Sequence, residues 1–319
     1  FIAKNQLISE MIQKIIPFLL LFLVCVISQQ TYEPQQIHLA IGWTPDRMGI
    51  NWMTFDNPSV TSSVVWYSKD PELNDYSVQG GGVYLFYDPW RHSQINRTIH
   101  LVFLRGLDAS TTYYYKCGDS IHGWSNIYSF KTGVNSITLT HELPIKYIIF
   151  GDLGVYDLSN TVDNIIQETN NNNFDTLIHV GDFAYDMYQE DGTRGDYFMN
   201  MIQPIASRVP YMTCPGNHEK YENFTHYSHR FRGMPTFTNV WTGSGETPNN
   251  WYYSWNEGYV HWIAISTEIY FNFPWMIKDQ YEWLLNDLIE ANNNRTNAPW
   301  IIIYGHKQIY CSDPYNNRP

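Results

Sequence analysis

Four apolar stretches of the sequence end in the same way, with a glycine followed by a side chain that can bind a metal ion. The stretches are YIIFGD, TLIHVGD, YMTCPGN and WIIIYGH, and the residues after their glycines are Asp152, Asp182, Asn217 and His306. A single such ending is an ordinary turn, because glycine, asparagine and aspartate are common turn residues. Ligands of open α/β sheets gather at the carboxyl ends of the strands. Four endings therefore predict that these side chains converge on one point.

The residue types favour a centre for hard or borderline metal ions. Carboxylate and amide oxygens and imidazole nitrogens bind such ions. Tyr185 follows Asp182 by three residues. A phenolate is a good ligand for Fe(III), because a trivalent ion lowers the phenol pKa far below its usual value of about 10. For Tyr185 taken alone, packing is the simpler interpretation, since the chain contains 25 tyrosines.

Strand and helix patterns alternate over residues 145–319, the part that contains all four endings. Strand-like runs such as YIIF and TLIHV are separated by the helix-like stretch NTVDNIIQETN. The clearest helix is QYEWLLNDLIEANNN, in which Tyr281, Leu284, Leu285 and Leu288 recur at helical spacing. Alternation of this kind predicts an α/β domain with a layered sheet.

The preceding region, residues 33–133, has an all-β pattern. Short runs rich in aromatic and β-branched residues, such as GINWMT, SVVWYS and TTYYYKCGD, are separated by turn signals. Such a pattern over about 100 residues predicts a β-sandwich. We find no catalytic constellation in this region, and we interpret residues 134–144 as a linker to the α/β domain.

The N-terminal part has the features of a leader for secretion. Residues 11–28 contain a lysine, an unbroken apolar run and a small residue at the end, which are the parts of a signal peptide. The apolar run is shorter than the roughly 20 residues that a membrane span needs. We interpret residues 1–10 as upstream residues and exclude them from the fold. The sequence thus predicts a secreted or lysosomal/vacuolar protein without a stable membrane anchor.

Glycosylation sequons, cysteines and charge bear on the same prediction. The sequons begin at Asn96, Asn223 and Asn294. After the leader the cysteines are Cys117, Cys214 and Cys311, an odd number that leaves their pairing open. The formal net charge of -12 argues against a nucleic-acid surface. It does not exclude a phosphate substrate, because bound metal ions can reverse the local field.

The four endings, taken in order, resemble the motifs of one family. The blocks GDLG, GDFAY, GNHE and IYGH are similar to the GDxG, GDxxY, GNH[ED] and VxxH blocks of the purple acid phosphatases, within the metallophosphoesterases. The stretch WYYSWNEGYVHWIAISTE resembles the animal-type members. The resemblance implies an all-β, fibronectin type III-like sandwich, followed by an α/β metallophosphoesterase domain with four layers in the order αββα.

The resemblance also implies a ligand set for two metal ions. Asp152 and Tyr185 would bind Fe(III), and Asp182 would bridge the two ions. Asn217 and His306 would bind a divalent partner, which the resemblance gives as Fe, Zn or Mn. In this interpretation the neutral asparagine suits the divalent ion, because another carboxylate would lower its Lewis acidity.

The implied activity is hydrolysis of phosphate monoesters at acidic pH, on small molecules or phosphoproteins. His218 would be the catalytic residue that hydrogen-bonds the phosphate. One alternative is a phosphodiesterase or nucleotide pyrophosphatase on the same fold, against which Tyr185 argues. Another is a non-catalytic secreted glycoprotein with a degenerate site. The oligomeric state is left open, with a homodimer as one option.

The sequence departs from the family pattern in two places. The fifth block of the family, GHxH, supplies one histidine to each ion and does not occur in this sequence. We therefore expect the sequence to be incomplete at its C-terminus. Animal-type members also often have a second substrate-contacting histidine about ten residues past the VxxH histidine, whereas this sequence reads SDPYNNRP there. Lys307 and Gln308 stand where those members commonly have Arg-Pro.

Overall fold

The computed structural model describes residues 32–86, 95–134, 144–155, 160–235 and 249–309. The predicted signal peptide, the residues before it and most of the predicted linker lie outside these ranges. In the part of the chain that the structure describes, no helix is both long enough and apolar enough to cross a membrane.

The first domain is a sandwich of two antiparallel sheets. Its strands are β1 (Gln35–Ile41), β2 (Met48–Thr54), β3 (Val64–Ser68), β4 (Ser77–Gly80), β5 (Gly82–Leu85), β6 (Thr98–Leu104), β7 (Thr112–Asp119), β8 (Gly123–Trp124) and β9 (Tyr128–Lys131). One sheet has the order β1-β2-β6-β5, and the other has the order β4-β3-β7-β8 with β9 also paired to β7.

The core of the sandwich is aromatic and draws on both sheets. Trp52 and Val102 from the first sheet share a buried cluster with Val65, Tyr115 and Phe130 from the second. Alternating aromatic and β-branched residues build this layer because each strand turns every second side chain towards the facing sheet. The predicted β-sandwich is confirmed.

The second domain alternates strands with helices. Its elements are β10 (Tyr147–Phe150), α1 (Thr161–Asn170), β11 (Thr176–Val180), α2 (Thr193–Ala206), β12 (Tyr211–Cys214), α3 (Tyr221–Arg230), β13 (Tyr253–Glu257), β14 (Val260–Ala264), α4 (Ile269–Asn272), α5 (Ile277–Asn293) and β15 (Trp300–Tyr304). A single 3-10 turn, Pro274–Met276, precedes α5.

Two sheets form the inner layers of this domain. Strands β10, β11 and β12 are parallel, whereas β14 pairs antiparallel with β13 and parallel with β15. The sheets contact each other through Tyr147 and Trp262, whose ring centroids are 4.8 Å apart. Helices α1 and α2 bury Ile165 and Ile202 in the cluster that covers the first sheet, and α5 covers the second. The predicted four-layer α/β fold is confirmed.

Helix α5 does not bury the face that its apolar spacing predicts. Tyr281 and Leu285 are 59% and 47% exposed, whereas Gln280, Asp287 and Ala291 are buried. Polar contacts fix this orientation. The side chain of Gln280 exchanges two hydrogen bonds with the backbone of residue 266, and Asp287 accepts from side chains of β13 and β14. The predicted helix is confirmed.

The two domains share a packed junction in the described residues. The backbone N–H of Ile37 in β1 donates to Gln203 Oε1 in α2 over 3.1 Å. The buried hydroxyl of Tyr115 in β7 donates to the carbonyl of Ser207 over 2.8 Å. The sandwich therefore packs against the helical layer that follows the β11 strand end.

Candidate metal centre

The three parallel strands end at the same edge of their sheet. Phe150 lies opposite His179, and Val180 lies opposite Cys214, so the polar residues that follow each strand emerge side by side. The loop after β10 hydrogen-bonds the loop after β11, because the Asp152 N–H donates to the Gly181 carbonyl over 3.1 Å. The strand ends therefore meet, as their glycine endings predict.

Asp152, Asp182 and His306 each direct one ligand atom into a common space. These three atoms lie within 4.8 Å of one another. His306 follows β15 of the second sheet and reaches across to the first, where its Nε2 lies 3.4 Å from Asp182 Oδ2. Two carboxylates and an imidazole form a donor set for hard or borderline cations. The chemistry of these side chains therefore fits a metal ion.

The hydrogen bonds of His306 support this fit. Its Nδ1–H donates to the Val180 carbonyl over 2.8 Å, which directs Nε2 towards the oxygens of Asp182 and Asn217. The distance from Nε2 to Asn217 Oδ1 is 3.2 Å. Burial lowers the pKa of His306, but Asp182 and the Val180 carbonyl outweigh burial and raise this pKa to about 9. Oxygens that stabilise a proton on Nε2 would equally stabilise a cation in its place.

Tyr185 lies beside the same group of ligand atoms. Its hydroxyl donates to Asp152 Oδ1 over 3.0 Å. Burial and the neighbouring Asp152 carboxylate raise the pKa of the phenol to about 12. A cation bound to Asp152 would reverse the sign of that electrostatic effect and favour the phenolate. The structure thus brings all five predicted metal ligands to one place.

Glycine is required where the loops approach each other. A Cβ on Gly216 would lie 2.4 Å from Asp182 Oδ1. A Cβ on Gly181, which has a φ of 86°, would lie 2.7 Å from the Cα of Gly216. Gly181 and Gly216 therefore let these two loops come into contact with each other, which a larger residue would prevent.

His218 borders this group without belonging to it. Its backbone N–H donates to Asp182 Oδ1 over 2.9 Å, and its ring Nδ1 is 2.9 Å from Asp186 Oδ1. The other ring nitrogen, Nε2, lies 3.9 Å from Asp182 Oδ2. The ring packs edge-on against Tyr185, with the centroids 4.6 Å apart. His218 is thus held by Asp186 and directed towards the ligand atoms.

Glu219 is a site residue to which sequence reasoning assigned no role. Its buried carboxylate accepts the backbone N–H groups of Asp182, Phe183 and Gly216 at 2.8–3.0 Å. It therefore ties the loop after β11 to the loop after β12. Burial, reinforced by Asp182, raises the pKa of Glu219 to about 7. The only signal in the sequence is an acidic residue directly after His218.

The sequon asparagines are at least partly exposed, whereas the described cysteines are buried. Asn96 and Asn223 are exposed and Asn294 is half-buried. Cys117 and Cys214 are buried and form no disulfide in the described residues. Cys311 lies outside those residues. Burial raises the pKa of the Cys117 thiol to about 12, which makes it unreactive.

Comparison with known proteins identifies the family. Residues 34–132 match the sequence profile described as "Purple acid Phosphatase, N-terminal domain". Residues 145–318, more than half of the chain, match the profile described as "Calcineurin-like phosphoesterase". The chain belongs to the purple acid phosphatases. Membership of this family implies a binuclear metal centre, for which the group formed by Asp152, Asp182 and His306 is the candidate.

Named relatives and a solved structure agree with this assignment. The chain is 36% identical over 283 residues to acid phosphatase type 7 of Homo sapiens and 38% identical over 288 residues to that of Danio rerio. Each alignment covers 88% of the chain, which spans only 60% of the length of either relative. A purple acid phosphatase from yellow lupin shares the fold with a TM-score of 0.71 at 24% identity, over 89% of this chain and 53% of that one.

Proposed function

We propose that the full-length protein hydrolyses phosphate monoesters at acidic pH with a centre of two metal ions. The observation that carries this proposal is the convergence of ligand atoms from Asp152, Asp182 and His306 at the strand ends. The family membership supports it, since the named relatives are acid phosphatases. Substrates of this class are small phosphate monoesters or phosphoproteins.

The proposed ligand set divides the residues between the two ions. Asp152 and Tyr185 hold Fe(III), and Asn217 and His306 hold a divalent ion, which is Fe, Zn or Mn. Asp182 would be a ligand shared by both ions. The hydrogen bond between Tyr185 and Asp152 and the contact between His306 and Asn217 support the two pairings. When bound, such ions supply Lewis acidity towards the phosphate and a water nucleophile at low pH.

The chain's own residues orient the phosphate and hold the loops in place. His218 keeps Nδ1 towards Asp186, which leaves Nε2 to hydrogen-bond a phosphate oxygen. Glu219 fixes the backbone of Asp182 and Gly216 through its three hydrogen bonds. This arrangement positions donors before the substrate binds, which is how fixed hydrogen bonds stabilise a transition state.

The proposal includes a secreted or lysosomal/vacuolar, glycosylated protein. The predicted signal peptide and the exposed sequons at Asn96 and Asn223 support it. Treatment of the secreted full-length protein with a glycosidase specific for N-linked glycans tests it. The mass should fall, and substitution of both asparagines by Gln should remove most of that difference.

A hydrolysis assay tests the activity. The full-length protein, expressed with its natural leader and supplied with iron and zinc, is given a chromogenic phosphate monoester and the matching diester. We expect turnover of the monoester at acidic pH and little turnover of the diester. Preference for the diester would favour a phosphodiesterase. No turnover by protein that holds two ions would favour a non-catalytic glycoprotein.

A further inference from the structure

A buried cluster at the domain junction joins the sandwich to the segment that follows the site. Asp196, in the first turn of α2, binds two guanidinium groups. Arg97 Nη2 lies 2.7 Å from Asp196 Oδ2, and Arg230 Nη1 lies 2.9 Å from Asp196 Oδ1. Arg97 directly precedes β6 in the sandwich, and Arg230 is the last residue of α3. Gln36 of β1 completes the cluster, since it hydrogen-bonds both Asp196 and Arg230.

The same two arginines hold the backbone that leads into α2. Arg97 Nη2 donates to the Asp191 carbonyl over 2.8 Å, and Arg230 Nη2 donates to the Gly192 carbonyl over 2.9 Å. Asp191 and Gly192 have left-handed φ angles of 58° and 80°. The left-handed conformation costs a non-glycine residue such as Asp191 free energy, and contacts with its surroundings offset that cost. The guanidinium groups therefore fix the shape of this stretch.

The other end of the stretch holds the ring of His218. Asp186 Oδ1 lies 2.9 Å from His218 Nδ1, and Asp186 Oδ2 accepts from Gln189 Nε2 over 2.9 Å. Both carboxylate oxygens are thus engaged in directional bonds. Residues 186–196, which we call the relay segment, have the His218 contact at one end and the arginine cluster at the other.

We propose that Arg97 is a positioning residue for His218 and acts through the relay segment. The proposal rests on the proposed phosphatase function. The described hydrogen bonds of Arg97 go to the Asp191 carbonyl and to Asp196, and these two groups fix the backbone that carries Asp186. The N-terminal sandwich then contributes to the active site, because it supplies the group that sets the position of His218, the hydrogen-bond donor to the phosphate.

The first experiment is a double-mutant cycle on the full-length, metal-loaded protein. Arg97→Lys keeps the charge but loses the planar fork that serves two acceptors at once. We expect kcat to fall about tenfold, the usual scale for loss of a supporting contact, at unchanged metal content. In a His218→Ala background the same substitution should leave kcat almost unchanged. Arg105→Lys, at an exposed arginine of the same domain, is the matched control and should have no effect.

Two results in the cycle would overturn the proposal. One is an equal fall of kcat in the wild-type and His218→Ala backgrounds, which would mean that Arg97 acts on general stability. The other is no fall in either background. The Asp186→Asn variant adds a rescue test, because its amide oxygen still accepts from His218 Nδ1. It should retain more activity than Asp186→Ala, and equal losses would count against the positioning role.

Hydrogen exchange gives a readout that needs no activity. In metal-free protein, Arg97→Lys should speed amide exchange in the relay segment and leave β10–β12 unchanged. Unchanged exchange in the segment overturns the proposal whatever the kinetics show. If the wild type binds two ions but hydrolyses no phosphate ester, the proposed function fails. Faster exchange in the Arg97→Lys variant would still support the structural connection between Arg97 and the relay segment. The two failures are therefore distinguishable.

Discussion

Glycines follow strands in both domains, and Gly106 and Gly216 differ in what surrounds them. Gly106 follows β6 in the sandwich, has a φ of 67° and has open space where a Cβ would lie. A Cβ on Gly216, after β12, would lie 2.4 Å from Asp182 Oδ1. The same feature of the sequence thus marks a free turn in one domain and the contact of two loops in the other. Convergence of strand ends defines the site, and glycine alone does not.

Substitution of strand-end carboxylates should give the largest difference between the domains. Asp182→Ala should remove both metal ions and abolish activity, because the proposed bridging carboxylate serves both ions. Asp108→Ala, at an exposed carboxylate near the end of β6 that pairs with Lys69, should leave both unchanged. His218→Ala should keep the metals and lower kcat about 10²–10³-fold, the usual cost of one transition-state contact.

Metal analysis and kinetics on the same samples test this prediction. The proteins are full-length and loaded in parallel, and melting temperatures show whether each variant is folded. Equal metal loss in Asp182→Ala and His218→Ala would contradict the division of roles between the bridging ligand and the phosphate contact.

Alanine substitutions at Gly106 and Gly216 should have different effects on stability and on metal binding. Gly216→Ala should lower the free energy of unfolding by about 3 kcal/mol, because the added methyl group overpacks the loop contact, and metal binding should weaken with it. Gly106→Ala should cost about 1–2 kcal/mol through its left-handed φ and leave metal binding intact. Denaturant titration and metal titration of both variants measure the effects. Normal metal affinity in folded Gly216→Ala would show that the two loops can move apart without weakening metal binding.

These particular residues also show what the sequence can and cannot predict. Asp152, Asp182, Asn217 and His306 were predictable because each follows the glycine at the end of an apolar strand, and the carboxyl ends of such strands gather at one edge of the sheet. The role of Glu219 was not predictable, because it depends on three backbone N–H groups that only the folded loops bring together.

Two features of the fold could not be predicted from apolar periodicity, for similar reasons. Helix α3 begins with left-handed residues at Glu222–Phe224, a conformation that no apolar spacing indicates. Helix α5 is oriented by the hydrogen bonds of the buried polar side chains of Gln280 and Asp287. The spacing of apolar residues along the helix does not predict these bonds. In both cases specific hydrogen bonds or backbone conformations override the average preference of the sequence.

A smaller effect is expected at the proposed iron ligand. Tyr185→Phe removes one hydroxyl that hydrogen-bonds Asp152 and should leave the fold intact. If the phenolate binds Fe(III), the wild type has a visible charge-transfer band, and the variant should lose it while it retains iron. Absorption spectra and iron content of the two proteins provide the measurement. An unchanged band with iron still bound would exclude Tyr185 as the ligand.

The smallest effect on the metal centre is expected at a carboxylate that lies at the opposite end of the same strands. Glu257 is buried and accepts from Thr176 Oγ1, at the start of β11, over 2.9 Å. Burial raises its pKa from 4.5 to about 7. Between these values the folded state binds a proton that the unfolded state lacks, so stability should decline as pH rises through this window. Metal binding should not depend on this residue.

Glu257→Gln should flatten this part of the stability profile. At neutral pH the variant should be more stable than the wild type, by on the order of 2–3 kcal/mol. Below the unfolded-state pKa the difference should vanish. Denaturant unfolding across the pH range measures it, with the exposed Glu168→Gln as control. Equal slopes in wild type and Glu257→Gln would show that Glu257 is ionised in the folded state throughout.

Anomalous diffraction from crystals of the full-length protein, loaded with iron and zinc, provides the decisive test of the proposed metal centre. Data collected at the absorption edges of the two metals locate each ion independently of its effect on activity. We predict two peaks at the carboxyl ends of β10, β11 and β15, an iron beside Asp152 and a zinc beside His306, with Asp182 in contact with both. A single ion, or a pair of ions away from these three side chains, would contradict the proposed centre.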